Sequence, residues 1–264
     1  MKKIILSAVV ASSLVMAADI DTTKESALVT HTELGYIETQ GNTETKTFNL
    51  EAKATKNWQK HVFGFIFDGQ YAEDKGIENK NKFFTELTYD YDFTDRFAFT
   101  YLAGYKSDKF SSFDYQVYTG PGAKYKAVVS KKHNLTVEGN ILYSMDEISD
   151  VEYDATGNII NYPNPDNIPV DSVVSGESDS YGSYRVKGVY TWQMLENLKF
   201  DQEVSYRGSF EESQNYFVFS KSALSSKISD MFSAGLSYKV DYVNEAGDKD
   251  NTDTTLTLNL IMDY

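Results

Sequence analysis

Hydrophobic and polar positions alternate along nearly the whole chain with a period of two, the spacing of an extended strand and not of a helix. The last stretch, Thr254 to Tyr264, shows it most cleanly. Leu256, Leu258, Leu260, Met262 and Tyr264 fall on one face, and Thr255, Thr257, Asn259, Ile261 and Asp263 on the other. The pattern recurs upstream. Phe48, Leu50, Ala52 and Ala54 oppose Asn49, Glu51 and Lys53, and Phe63, Phe65, Phe67 and Tyr71 oppose Asp68 and Gln70. Phe83, Leu87, Tyr89 and Tyr91 oppose Glu86, Thr88, Asp90 and Asp92. Later come Phe97 to Tyr105, then Tyr115 to Val129 with Lys124 and Lys126 opposite, then Leu135 to Met145 with Glu138 opposite. The second half adds a strand carrying Tyr184, Val186, Tyr190 and Trp192, with Val189 off that face. It also adds Phe200 to Phe210 opposing Asp201, Glu203 and Arg207, and Phe232 to Tyr242 opposing Lys239 and Asp241. Two segments are less regular: about 27–39, and about 215–227, where Phe217, Phe219 and Ala223 share a face with Lys221.

Between these strands the turns fall into two sets. One is short (about 56–60, 93–96, 130–133, 195–197 and 228–231). The other is longer and more acidic (about 41–44, 73–80, 107–113, 147–178, 211–214 and 244–251). Gly41-Asn42 and Gly247 supply turn tips that tolerate positive φ. Gly120-Pro121-Gly122 interrupts one strand and predicts a bulge or bend. Eleven connections predict about twelve strands, with ten or fourteen as alternatives, and alternating turn lengths predict an antiparallel up-and-down transmembrane β-barrel with both termini periplasmic. A secreted β-sandwich is the competing architecture.

Composition sharpens this choice. Met1-Lys2-Lys3, the apolar run Ile4 to Val15 and Val15-Met16-Ala17 predict a signal peptide over residues 1–17, followed by a barrel over 18–264. That run is too short for a membrane-spanning helix, and no later segment reaches the length one needs. Losing Lys2 and Lys3 takes the formal charge from −14 to −16, which disfavours nucleic acid as a partner. A mean hydropathy of −0.44 says little, because a spanning barrel is apolar on one face only. Twenty Tyr and sixteen Phe against four Pro suit strands with aromatic girdles, in which Trp58, Tyr91, Trp192 and Tyr238 are expected. Without cysteine the chain has no disulfide or thiolate metal site.

With these segments placed, the chain resembles the salt-induced outer-membrane protein family, catalogued as a domain of unknown function. The resemblance rests on Gly41-Asn42-Thr43-Glu44-Thr45, Phe93-Thr94-Asp95-Arg96, and Asp108-Lys109-Phe110 with Phe113-Asp114-Tyr115. It continues through Gly120-Pro121-Gly122 with Tyr125, and His133-Asn134-Leu135 with Glu138-Gly139. It covers essentially the whole mature chain and implies an outer-membrane barrel in a Gram-negative envelope. The terminal Tyr264 is similar to the aromatic end by which the barrel assembly machinery recognises its clients. The stretch 147–178 departs from the family pattern.

The candidate chemistry lies on the polar faces: Glu51, Lys53, Asp68, Glu86, Asp90, Asp92, Lys124, Lys126, Glu138, Arg185, Lys187, Asp201, Glu203, Arg207, Lys239 and Asp241. They would line either a narrow passive pore for small solutes or ions, biased towards cations by acidic loops, or a closed structural barrel braced by ion pairs. The 147–178 stretch, with three of the four prolines, seven acidic residues and no Lys or Arg, is a candidate lid or constriction. Asp150, Glu152 and Asp154 before Gly157 loosely resemble a calcium loop but miss its terminal Glu, so no metal and no cofactor are expected. Lipid and lipopolysaccharide are the expected surroundings, the latter bridged through divalent cations. About twelve strands is also the size of outer-membrane phospholipase barrels, yet His31, His61 and His133 form no serine–histidine motif, so no enzyme is expected.

Overall fold

The computed structural model describes residues 28–39, 44–247 and 249–264. The expected signal peptide and the Gly41-Asn42 tip lie outside the described residues. Among the described residues every regular element is a strand. They are β1 (Leu28–Thr39), β2 (Thr45–Trp58), β3 (His61–Asp74), β4 (Ile77–Asp92), β5 (Phe97–Asp108), β6 (Phe113–Val129) and β7 (His133–Ile148). Then follow β8 (Val151–Tyr153), β9 (Ser172–Val174), β10 (Ser178–Gln193), β11 (Leu198–Ser209), β12 (Tyr216–Lys227), β13 (Phe232–Val243) and β14 (Thr252–Asp263). Twelve of them close into an antiparallel barrel in the order β1-β14-β13-β12-β11-β10-β7-β6-β5-β4-β3-β2, while β8 and β9 form a small sheet of their own.

Chain neighbours are barrel neighbours except at two places. The pairing of β7 with β10 spans the long loop, and the pairing of β1 with β14 closes the ring. That closing seam is short. Its ladder runs from His31–Asp263 to Leu34–Leu260, and the backbone groups of Thr30 and Tyr264 exchange hydrogen bonds of 2.6 and 3.0 Å below it. The terminal residue therefore completes the barrel through its own main chain.

The two faces separate as the alternation predicts. On β14, Leu256, Leu258, Leu260 and Met262 are exposed, whereas Thr255, Thr257, Asn259 and Ile261 are buried inside. Aromatic contacts belt both ends of the exterior. At the short-turn end Trp58, His61, Tyr91, Phe93 and Phe97 form a chain of ring contacts, and His133 stacks on Trp192. At the other end Tyr184, Tyr206, Tyr216 and Tyr242 stand side by side across four strands. Such an exterior, apolar between two aromatic belts, suits hydrocarbon between two wet interfaces. The Leu258→Arg substitution tests it, since this side chain is 66% exposed in mid-strand. In lipid it is expected to cost about 2–4 kcal/mol. In water an exposed position would change by no more than about 0.5 kcal/mol. Urea unfolding from lipid vesicles distinguishes these values.

The structure corrects the polar loop expected after Glu73 and refines two other local expectations. The polar stretch 73–81 is not a loop: β3 and β4 run on to a two-residue turn at Lys75-Gly76, whose φ values of 49° and 79° are those of a tight hairpin. Gly120-Pro121-Gly122 leaves β6 paired to β5 from Gln116 to Tyr125 but interrupts its ladder to β7, which skips Gly120 and Pro121. The glycines let β6 approach β7, because a Cβ at Gly120 would collide with the Ile141 carbonyl oxygen, and one at Gly122 with that of Gly139. The bulges of β6 lie near its ends, at Phe113/Tyr115 and Lys126/Val128. Val189, off the apolar face, sits opposite Glu203 and so faces inward.

Candidate functional site

Side chains of twelve strands converge on the lumen, and most of its charges are paired across it. Glu51 on β2 is the most crowded acceptor. Lys221 of β12 donates to both of its oxygens at 2.8 Å, Lys53 lies at 2.8 Å and Lys239 of β13 at 3.0 Å. Lys221 also reaches Glu33 at 2.8 Å, and Lys239 pairs with Asp68 of β3. A second group surrounds Arg185 of β10, which donates to Glu86 of β4 at 2.5 Å and to Glu138 of β7 at 2.6 Å. Glu86 lies with β5, β6 and β7 between it and Arg185, so this bond bridges the interior. Lys124 lies 2.5 Å from Asp90, and Lys187 lies 2.8 Å from Glu203. Nearer the long-loop end, Lys82 joins Asp241 at 2.8 Å and Asp253 at 2.5 Å, and Lys80 meets Asp253 at 3.0 Å. Lys106 of β5 and Asp241 of β13 face each other from opposite sides of the ring at 3.5 Å.

These pairs give most of the buried charges a partner, which offsets the cost of burying them. Apolar side chains fill part of the same interior: Leu102, Tyr118 and Leu142 with Phe84 form a cluster on one wall. Two cavities stand out among the described residues. One, of about 300 Å³, opens beneath the long loop and is lined by Lys80, Phe110, Tyr162 and Asp253 among others. The other, of about 150 Å³, lies deeper among Glu51, Glu86, Tyr118, Arg207 and Phe217. Lys106, Gln116 and Asp241 line both.

The stretch 147–178 is structured. Strands β8 and β9 pair within it, and Asp154 holds a turn by accepting hydrogen bonds from Thr156 and Asn158, which keep its carboxyl below the usual range. Its tip lies over the mouth. Tyr162 donates to Glu78 at 3.2 Å and packs on Phe110 with ring centroids 5.2 Å apart, and Lys249 donates to Asn161 at 3.2 Å. The loop thus touches β4, the β5–β6 connection and the β13–β14 connection.

Most of the residues singled out in the sequence enter these networks. Asp201 instead accepts from Thr191 at 2.7 Å and pairs with Lys199 near the short-turn rim. Asp92 and Lys126 also lie towards that rim, without an ion pair among the described residues. Asp150, Glu152 and Asp154 do not converge: Asp150 accepts from the Gly176 amide, Asp154 serves its own turn and Glu152 is exposed. Among the described residues one group has metal-ligand spacing, His31, Glu33 and Glu51, but the Lys221 ammonium sits 2.8 Å from both carboxylates. His61 and His133 face outward, each 2.8 Å from a tyrosine hydroxyl, of Tyr89 and Tyr190. Sequence reasoning passed over Lys82, Lys106, Asp146, Lys221 and Asp253 as lumen residues. All keep the inward parity of their strands, and extending each strand by one or two positions would have found several of them.

A closed ring of twelve antiparallel strands, apolar and aromatic-belted outside and charged within, is an outer-membrane β-barrel. The chain belongs to the family described as "Protein of unknown function, DUF481", which matches residues 32–264. No curated protein matches it in sequence. Among solved structures it is similar to the NanC porin (12% identity, 90% of this chain and 98% of that one, TM-score 0.43). It is similar to the KdgM porin (10% identity, 90% and 99%, TM-score 0.45). It is also similar to the COG4313 outer membrane channel from Pseudomonas putida F1 (8% identity, 93% and 98%, TM-score 0.49).

Proposed function

We propose that the protein is a narrow passive channel for small solutes or ions, closed at rest by paired lumenal charges and roofed by the 147–178 loop. The observation that carries this reading is the pair of cavities in series, which share Lys106, Gln116 and Asp241 as a common wall. These three side chains, in this reading, stand between the mouth and mid-barrel. In this reading the long loop and mouth face outwards, both termini face the periplasm, and Tyr264 presents the aromatic end to the assembly machinery. The acidic loop meets lipopolysaccharide through divalent cations. Because cations and carboxylates alternate in the lumen, the channel has weak ion preference, less than the acidic loops alone would give.

The cross-lumen pairs favour a second reading, a non-conducting barrel that contributes to envelope integrity under salt stress. Replacing residues 151–174 with a short Gly-Ser linker separates the two. Strands β7 and β10 pair directly below the loop, from Glu147–Ser178 downwards, so the barrel should survive the deletion. The channel reading expects single-channel steps in a planar bilayer that grow several-fold on deletion. Silence from both forms, with folding verified by a heat-dependent gel shift, would leave the structural barrel.

A further inference from the structure

One lumenal cation stands apart from the network. Each of the other Lys and Arg residues lining the deeper cavity has a carboxylate within 3.5 Å. Arg207 is 7% exposed, and its nearest carboxylate, on Asp146, is 3.9 Å away. That carboxylate already accepts from Tyr181 at 2.7 Å and Gln116 at 3.0 Å. Arg207 makes one hydrogen bond, from Nη1 to Ser144 Oγ at 3.0 Å, and its Nε and Nη2 have no acceptor among the described residues. By contrast, Arg185 uses Nε, Nη1 and Nη2 on three acceptors.

The guanidinium is held in place by rings, not by anions. It lies 4.3 Å from the Phe217 centroid and 4.9 Å from that of Tyr118. Stacking of this kind fixes the plane of the fork but satisfies none of its in-plane donors. A buried guanidinium without a close counter-ion is costly, and a site that retains one is poised to take an anion from outside. Paired charges line much of the cavity, and part of its wall is aromatic. Phe84, Phe217 and Phe219 line the same cavity, the last two on the inward parity of β12 that they share with Lys221. A cavity of about 150 Å³ is the size that holds a benzene ring.

The geometry points to a recognition site for a small organic monocarboxylate. Its carboxylate would take the bidentate fork of Arg207, and its apolar body would rest on Phe84, Phe217 and Phe219. This names a solute class for the proposed channel and rests on that reading. Binding, however, is measurable without conduction.

Benzoate and acetate are titrated calorimetrically into refolded full-length barrel in detergent. Benzoate should bind more tightly than acetate, and Arg207→Gln should weaken both roughly ten- to a hundredfold, the value of hydrogen bonds to a charged group. Phe217→Leu keeps the cation and should weaken benzoate several-fold while leaving acetate nearly unchanged, so the site stays testable if Arg207→Gln fails the heat-shift test. No benzoate binding to the folded wild type, or equal binding to both variants, overturns the site. Binding without channel steps in the bilayer would keep the site and remove the pore. Steps without benzoate binding would remove the site alone.

Discussion

Glu51→Ala is expected to destabilise the barrel by about 3–5 kcal/mol, the range for removing one partner of a buried charge network. Glu51 is 5% exposed and neutralises Lys53, Lys221 and Lys239 together. After its loss Lys221 retains Glu33 and Lys239 retains Asp68, whereas Lys53 has no other carboxylate bonded to it. Glu51→Gln keeps the shape and loses only the charge, so it should recover little. Urea unfolding of vesicle-embedded protein, followed by Trp58 and Trp192 fluorescence, reads the difference. A loss below about 1 kcal/mol, the value of solvent-exposed pairs, would show that water and not Glu51 screens these ammonium groups. The lumen would then be a wide wet conduit, so this measurement of stability bears directly on transport.

The architecture was legible in the sequence because a barrel writes itself in a two-residue period. Leu256, Leu258 and Leu260 opposite Thr255, Thr257 and Asn259 tell outside from inside without knowledge of any partner. Strand ends were less legible where polar residues continue a strand. Asn79-Lys80-Asn81-Lys82 reads as loop by composition, yet Lys80 and Lys82 are lumenal cations on β4. Strand β12 was ambiguous for a related reason. It exposes Ser220 and Ser222, bonded to Gln202 on the same outer face, and turns Phe217 and Phe219 inward. The pairings themselves could not be read. Arg185 finds Glu86, and Lys106 finds Asp241, only after ring closure and strand stagger set which residues share a level.

That dependence on closure gives the lumen its construction. Several braces, such as Arg185–Glu86 and Lys106–Asp241, tie strands distant in the sheet, so these charges act like spokes, and the barrel has little apolar core beyond Leu102, Tyr118 and Leu142. Spokes also obstruct passage. A pair that contributes little to folding but stands in the path is therefore the place where the two roles separate.

Lys106 is that residue. At 3.5 Å its contact with Asp241 is the longest of the Lys82–Lys106–Asp241–Asp253 group, and Asp241 keeps Lys82 at 2.8 Å when Lys106 is removed. Asp241→Asn is the poorer probe, because it strands Lys106 while Lys82 still holds Asp253 at 2.5 Å. Lys106→Ala should therefore leave the barrel near wild-type stability and merge the cavities of about 300 and 150 Å³ that share this side chain. Single-channel conductance is expected to rise several-fold. The reversal potential in a KCl gradient should shift towards cations, since one positive charge leaves the path and Asp241 stays. The gel shift on heating verifies the fold. Unchanged conductance in a folded Lys106→Ala barrel would place the constriction deeper, at the Arg185–Glu86 and Lys221–Glu51 bridges, where charge and stability cannot be separated.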